Sequence, residues 1–322
     1  MNEKIKNLLN IRYIKLHFEI RFLYDSFLSI YKPSDLRGGM GYMLMDKYCM
    51  ADKDCDKCTF GQECVMKRIL YAQSDIRPFF VKEGKKDEGS CGLVIECEDK
   101  RTNFSAGDEL HFNILLFGKT IAYFRQILDA FIDLGQKGFG PHKSFFEVTR
   151  VTNSLGQDLY CEGTVFRERF NVCILRDYVE YRLRKKTGLR AVFHTPAEFW
   201  VQKELVTEFD PLVIFSSIVR RIYVLNLFEG NNIGRIPLGF EEKDSFIALP
   251  QVSDQHAWVE KNWRYSTRTK MEYPMIGIKG YIDFAALTED QYACLLAGEL
   301  THIGKDTRFG YGRYTMVDKR KS

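Results

Sequence analysis

The sequence predicts an α+β protein of two tandem ferredoxin-like (RRM-like) domains, residues 1–187 and 188–322, with a cysteine-bearing insertion at about 49–89 in the first. Three observations lead there. The first half reads strand, helix, strand, strand, helix, strand. The second half opens on a strand and places a capped helix on either side of further strand-like sequence. Both halves also end alike. "FIDLGQKGFGPHKSFFEV" and "LTHIGKDTRFGYGRYTMV" each run helix, glycine stop, basic glycine-rich turn and aromatic-rich strand.

The elements follow in order. Tyr13 to Leu23 alternates apolar and polar residues and reads as the first strand. Ser34 is placed to cap the helix that follows. That helix holds Gly38, Gly39 and Gly41, so a neighbour must pack close to it or part of it is loop. After the cysteine-bearing stretch, "CGLVIECE" and "DELHFNILLFG" read as strands. "KTIAYFRQILDAFIDLG" is an amphipathic helix stopped by Gly135, and "KSFFEVTRV" closes the unit as a strand. In the second unit "LRAVFHTPAEFW" is a strand, and Asp210 caps a helix with Pro211 at its first position. "YPMIGIKGYIDFAAL" is strand-like. "TEDQ", Thr288 to Gln291, opens a helix running to about Thr301. Gly304 would terminate it, and Thr307 to Val317 would be the last strand.

Composition narrows the function. Hydrophobic residues at 45% supply a core, and charged residues at 28% are too few for a disordered chain. No apolar run reads as a bilayer span and the N-terminus lacks a signal-peptide core, so a soluble, cytoplasmic protein without a membrane partner is expected. Lys261 to Ser322 hold 11 Lys/Arg against 7 Asp/Glu, as large an excess as the +4 of the whole chain. That distribution favours a polyanion partner.

Nine cysteines in a chain without a secretion signal read as thiols or metal ligands. Cys49, Cys55, Cys58 and Cys64 follow C-x5-C-x2-C-x5-C, a set that can close a tetrahedral structural zinc site; four reduced thiols are the alternative. Trp263, Arg264, Tyr265, Arg268 and Lys270 interleave charge with aromatic rings, which suits RNA phosphates and bases, or equally a solvated hairpin. Arg220 and Arg221 are adjacent and cannot face one partner equally. Lys305 does not belong to a nucleotide-binding loop: Gly298 to Gly304 is one residue too long, and Asp306 stands where Ser or Thr would bind magnesium.

Taken in order over roughly 280 residues, these segments resemble the CRISPR-associated endoribonucleases that cut precursor repeat RNA, members of the RAMP superfamily. "IGKDTRFGYGRY" is similar to that family's C-terminal glycine-rich signature. "WRYSTRTK" with "GIKGYIDF", "VFHTPAEFW" with "PLVIFSSIVRRIYVL", and "LRGGMGYML" before the cysteines resemble its other segments. The resemblance implies RNA held against the glycine-rich loop. It implies cleavage without a cofactor, leaving a 2′,3′-cyclic phosphate and a 5′-hydroxyl. It also implies CRISPR repeat RNA, precursor and processed guide, as partner. A non-catalytic guide-binding subunit of an interference complex is the alternative of the same superfamily, and a zinc-stabilised RNA-binding module the more distant one.

On this reading Gly304, Gly310 and Gly312 bring backbone N–H groups to a phosphate, and Lys305, Arg308 and Arg313 add charge. From the residues alone, a helix terminator with a bulged strand explains the same glycines. His302 is the candidate general base or acid, with a carbonyl-capping histidine as the plainer reading. Many family members carry a histidine near the first helix, whereas Ser29 to Lys47 contains none; Tyr31, Lys32, Arg37 and Lys47 are the substitutes on offer there. Lys305, Tyr31 and Lys32 join His302 as catalytic candidates. Arg37, His142, Arg264 and Arg268 join the loop as RNA contacts.

Overall fold

The structure is a computed structural model that describes residues 1–51, 53–55, 57–60, 64–70, 92–140, 142–185, 188–234, 248–266 and 271–319. Strand β1 (Arg12–Phe22) turns Ile14, Leu16, Phe18, Ile20 and Phe22 into the first core, as its alternation requires. Helix α1 (Lys32–Tyr48) starts earlier than expected. Its cap is Tyr31, Pro33 sits in the first turn where a missing N–H costs nothing, and Ser34 lies buried inside the helix. The glycines keep the helix whole and closely packed. A Cβ on Gly39 would stand 2.6 Å from a Leu134 methyl, and one on Gly41 would stand 2.9 Å from Leu70.

Strands β2 (Leu93–Glu96) and β3 (Glu109–Phe117) follow, then a 3-10 turn at Gly118–Tyr123, helix α2 (Phe124–Lys137) and strand β4 (Phe146–Thr152). Gly135 does not stop α2. It lies within the helix, where the Phe146 carbonyl oxygen of β4 would be 2.2 Å from any Cβ; the stop is Gly138 at φ 76. The strands pair antiparallel in the order β2-β3-β1-β4, and Asp158–Cys161 and Thr164–Val165 extend the β4 side.

After helix α3 (Leu175–Lys185), the second unit contains β5 (Arg190–Ala197), α4 (Pro211–Glu229), β6 (Val252–Ser266), β7 (Met271–Phe284), α5 (Glu289–Thr301) and β8 (Tyr314–Val317). Its antiparallel order is β6-β7-β5-β8. Both sheets thus carry the order second, third, first, fourth, the ferredoxin-like arrangement expected of each half. The caps are as expected: Asp210 accepts from Leu212 N at 2.8 Å, and Thr288 and Gln291 form a capping box. β8 is shorter than expected, because Thr307–Phe309 forms a 3-10 turn before it.

By length and composition α4 could cross a membrane, which the sequence reading overlooked. Here it is a core helix shared by the two domains, and that explains its apolar surface on all sides. Tyr223, Val224, Leu227 and Phe228 join the first core, while Ile214, Phe215, Ile218, Ile222 and Leu225 join the second. Ile5, Leu9, Leu175 and Val179 also join the second core, so segments on either side of the first sheet clasp the second domain.

Buried Glu299 of α5 anchors that clasp. It accepts from Tyr178 Oη at 2.8 Å, from Met316 N at 2.9 Å and from the Arg182 guanidinium. Glu299→Ala strands those donors and should lower the unfolding free energy in urea by about 3 kcal/mol; a change within error would show that the clasp carries no stability.

Candidate nucleic-acid interface

The seam between the domains gathers around His302, the residue that ends α5. Its backbone sits at φ 59 and ψ 158, a region costing a residue with a Cβ about 1–3 kcal/mol. What holds it there is the side chain. The ring is fully buried, with Nε2 2.9 Å from Glu96 Oε1 of β2 and Nδ1 3.1 Å from the Tyr311 carbonyl oxygen. Glu96 also receives Lys15 Nζ at 2.8 Å and Asn113 Nδ2 at 3.0 Å, with Arg313 Nε at 3.6 Å. Burial alone would raise the Glu96 pKa. The bond from His302 and the charges of Lys15 and Arg313 outweigh it and hold the carboxyl well below the usual range. Burial lowers the His302 pKa, with Glu96 pulling the other way.

The loop after His302 is wired inward. Gly304 N donates to Ser217 Oγ at 2.8 Å, Lys305 N to Glu198 O at 2.9 Å, and Gly310 N to Thr307 O at 2.8 Å. Gly312 N donates to Pro196 O at 2.7 Å and Arg313 N to Thr195 Oγ1 at 2.9 Å. These amides therefore do not form the phosphate cradle expected of them. The glycines answer to close approach instead. At Gly312 (φ 69) a Cβ would lie 1.7 Å from Ile303 O. At Gly310 (φ 81) it would lie 2.6 Å from Ile95 O in the other domain.

Three half-buried cations gather beside the loop. Arg37 of α1, Arg264 of β6 and Arg308 of the 3-10 turn place their guanidinium carbons 4.7, 5.2 and 5.2 Å from the centroid of one ring, Phe309. Arg308 Nε has no hydrogen-bond partner among the described residues, and its guanidinium lies 3.8 Å from Asp306. Arg264 also covers Tyr273, and Arg37 donates to Leu70 O at 2.5 Å. Beside them Lys305 is exposed, with its ammonium 5.2 Å from the exposed Trp200 ring. Burial raises the pKa of Glu198; the bond from Trp200 Nε1 at 2.6 Å opposes it and the charge of Asp306 adds to it.

Several expected site residues have other duties. Tyr31 is buried with its hydroxyl on Phe309 O at 2.6 Å. Lys32 is wholly buried, its ammonium donating to Asp99 O at 3.0 Å and Arg101 O at 2.5 Å. With His302 they position the seam from inside, which corrects the expectation that they meet substrate. Lys47 pairs with Asp133 at 2.9 Å. His142 is exposed and packs edge-on to Phe27 at 5.3 Å, in the turn before β4. Arg313 pairs with Glu98 and Glu96. Arg221 is buried, its Nε donating to Thr301 O at 3.0 Å, whereas Arg220 is exposed. Arg268 and Lys270 lie outside the described residues, as do Cys91 and most of the cysteine-bearing stretch. The described cysteines, Cys49, Cys55, Cys58 and Cys64 among them, form no disulfide among the described residues.

Sequence reasoning missed Glu96, Glu198 and Trp200. Glu96 shows no local signal, since its partner is 206 positions away. "AEFW" carried a faint one: a carboxylate and an indole at the end of a strand that reads apolar.

The chain is thus a protein of two ferredoxin-like domains with a glycine-rich loop and an arginine cluster at their seam. Residues 9–171, half of the chain, match the model of the AF_1859 N-terminal domain family, and residues 192–314 match that of the CRISPR-associated endoribonuclease Cas6. The chain belongs to the first of these families, and its second half is similar to Cas6. Its fold resembles a partial Cas6-RT-Cas1–Cas2 complex (TM-score 0.58, 10% identity, 98% of this chain and 48% of that one). It also resembles the Cas6-RT-Cas1–Cas2 complex (TM-score 0.58, 10% identity, 98% and 30%). A Cas6 product complex aligns at TM-score 0.48 with 13% identity, over 95% and 99%. The chain spans about half of the first of these chains and under a third of the second. No curated protein matches the sequence.

The seam fixes how stability depends on pH. The folded pKa of Glu96 is below its ordinary 4.5, so at this group the unfolded chain binds the proton first. Stability should fall as the solution is acidified below pH 4.5. Denaturant melts across this range should show that slope, and Glu96→Gln should flatten it. A wild-type slope of the opposite sign would disprove the assignment.

Proposed function

We propose that this protein is an endoribonuclease that cuts CRISPR repeat RNA without a metal, yielding guide RNAs with 2′,3′-cyclic phosphate and 5′-hydroxyl ends. The observation that carries the reading is the convergence of Arg37, Arg264 and Arg308 from three elements on Phe309, beside exposed Lys305, in a chain whose second half matches Cas6. Three guanidinium groups on one aromatic ring repel one another, and an RNA phosphate between them removes that penalty. Trp200 offers a face for a base.

In this chemistry the 2′-oxygen attacks phosphorus and the bond to the 5′-oxygen breaks. Glu198, whose pKa burial raises, is assigned the proton leaving the 2′-hydroxyl. Lys305, held next to Glu198 by its own backbone bond, is assigned the proton delivered to the 5′-oxygen. The arginines stabilise the charge that grows on the phosphoryl oxygens. His302 positions the loop.

The second reading, a guide-RNA-binding subunit without cleavage, draws on the histidines: the one beside the loop, His302, is buried. Resemblance to complexes named Cas6-RT-Cas1–Cas2 supports a CRISPR-associated assembly as partner in either case. Purified protein incubated with its own repeat RNA in EDTA separates the two. Cyclic-phosphate product is expected, with Glu198→Gln and Lys305→Ala each lowering the single-turnover rate at least about 100-fold. Arg37→Ala with Arg264→Ala should weaken RNA binding and flatten its salt dependence. Tight binding with intact RNA would select the second reading.

We also infer a structural zinc on the four cysteines. Cys49 caps α1 and Cys64 precedes the helix Val65–Leu70, so helix ends flank the segment that holds Cys55 and Cys58. Four thiolates on a short polar segment suit tetrahedral zinc, which would replace a missing core there. One equivalent of zinc per chain should appear on thiol modification and disappear in Cys55→Ser/Cys58→Ser; equal zinc content in both would remove the site.

A further inference from the structure

We propose that the first sheet, on the face opposite its own core and beyond the part that the second domain covers, holds a divalent transition-metal ion of the zinc class on His17, Glu19 and His111. The site is separate from the cysteines and independent of the RNA reading. β1 and β3 are neighbours at the middle of the sheet, and their register sets Glu19 opposite His111 and His17 opposite Asn113. Alternation then puts His17, Glu19 and His111 on one face, with Leu16, Phe18, Ile20 and Phe112 on the buried one. One donor atom from each of the three lies within 4.8 Å of the others, and the two imidazole rings stack at 5.6 Å with 13° between their planes.

Hydrogen bonds settle which nitrogen is open. Asn113 gives its Nδ2 to Glu96 at 3.0 Å, so its amide oxygen must face His17 Nδ1, 2.8 Å away. Nδ1 therefore carries the hydrogen, and the Nε2 lone pair points toward Glu19 Oε1, 4.0 Å away. A histidine whose second nitrogen donates to a fixed oxygen is the arrangement metal ligands use, because it locks both tautomer and ring direction. Here the fixing group is the same Glu96 that anchors the seam. Two imidazoles and a carboxylate suit zinc-class ions over magnesium or calcium.

The neighbours set the competition. Arg150 Nη1 lies 3.7 Å from Glu19, and Glu109 Oε2 lies 3.6 Å from His111 Nε2. The metal displaces the first contact, and the second offers a further carboxylate. Side-chain exposures of 41%, 22% and 47% leave the outer coordination position to water. Closing the donors to the separations of a tetrahedral ion, about 3.4 Å, takes small side-chain rotations.

The test is calorimetric titration of Zn2+ alone into the full chain as purified, with any cysteine-bound metal already in place. One further equivalent should bind. It should be lost in His17→Ala/His111→Ala, weakened about 10-fold or more in Asn113→Ala, and retained in Cys55→Ser/Cys58→Ser. Thermal melts confirm that each variant is folded, and His111→Ala alone serves if the double variant is not. Anomalous scattering at the zinc edge should place the ion between His17 and His111. Absence of a further equivalent, or one that persists in the histidine variants, overturns the site.

Discussion

The contact on which the seam depends is the buried Glu96 carboxylate at the end of β2. Four groups from separate parts of the chain point at it: Lys15, Asn113, His302 and Arg313. A carboxylate taken out of water is costly unless several donors replace the solvent, and here they come from both domains. Through His302 the same charge reaches the Tyr311 carbonyl, so one first-domain residue sets the path of the second domain's glycine-rich loop. The strained backbone at His302 is intelligible on these terms. The ring is needed at a point that a relaxed helix end would not reach.

That anchor also sorts the cations. Lys15 and Arg313 are tied to acids at the seam, and Lys32 is enclosed by backbone carbonyls. Arg37, Arg264 and Arg308 share the Phe309 ring, and Arg308 also lies 3.8 Å from Asp306. Cation–π contact orients each guanidinium without cancelling its charge, so their summed field persists outside the ring. A polyanion is the partner that such a cluster fits.

Much of the fold was legible from local pattern. Alternation marked β1, and Asp210-Pro211 and Thr288 to Gln291 marked two helix starts, because those signals are carried by neighbouring residues. The site was less legible because its chemistry is non-local. His302 was visible as a titratable group at a helix end, yet its burial depends on Glu96, far away in sequence. Lys32 read as a catalytic candidate, whereas the Asp99 and Arg101 carbonyls, far away in sequence, enclose it. The loop glycines signalled close approach correctly, but what approaches is the protein's own backbone, Ile303 and Ile95.

Helix α4 gives the seam its second constraint. It contributes to both cores, so the domains cannot change their angle without opening apolar surface on one side. It is also keyed to the base of the loop: Arg221 donates to Thr301 O, and Ser217 accepts from Gly304 N. At its far end Asn226 donates to Leu8 O at 2.9 Å, fixing the segment that leads into β1. The loop is therefore held at its origin from α4 and at Tyr311 from β2 through His302, while the Lys305 side chain between them stays exposed. A ligand arriving there would meet groups already in place, so little of its binding energy would go into ordering the protein.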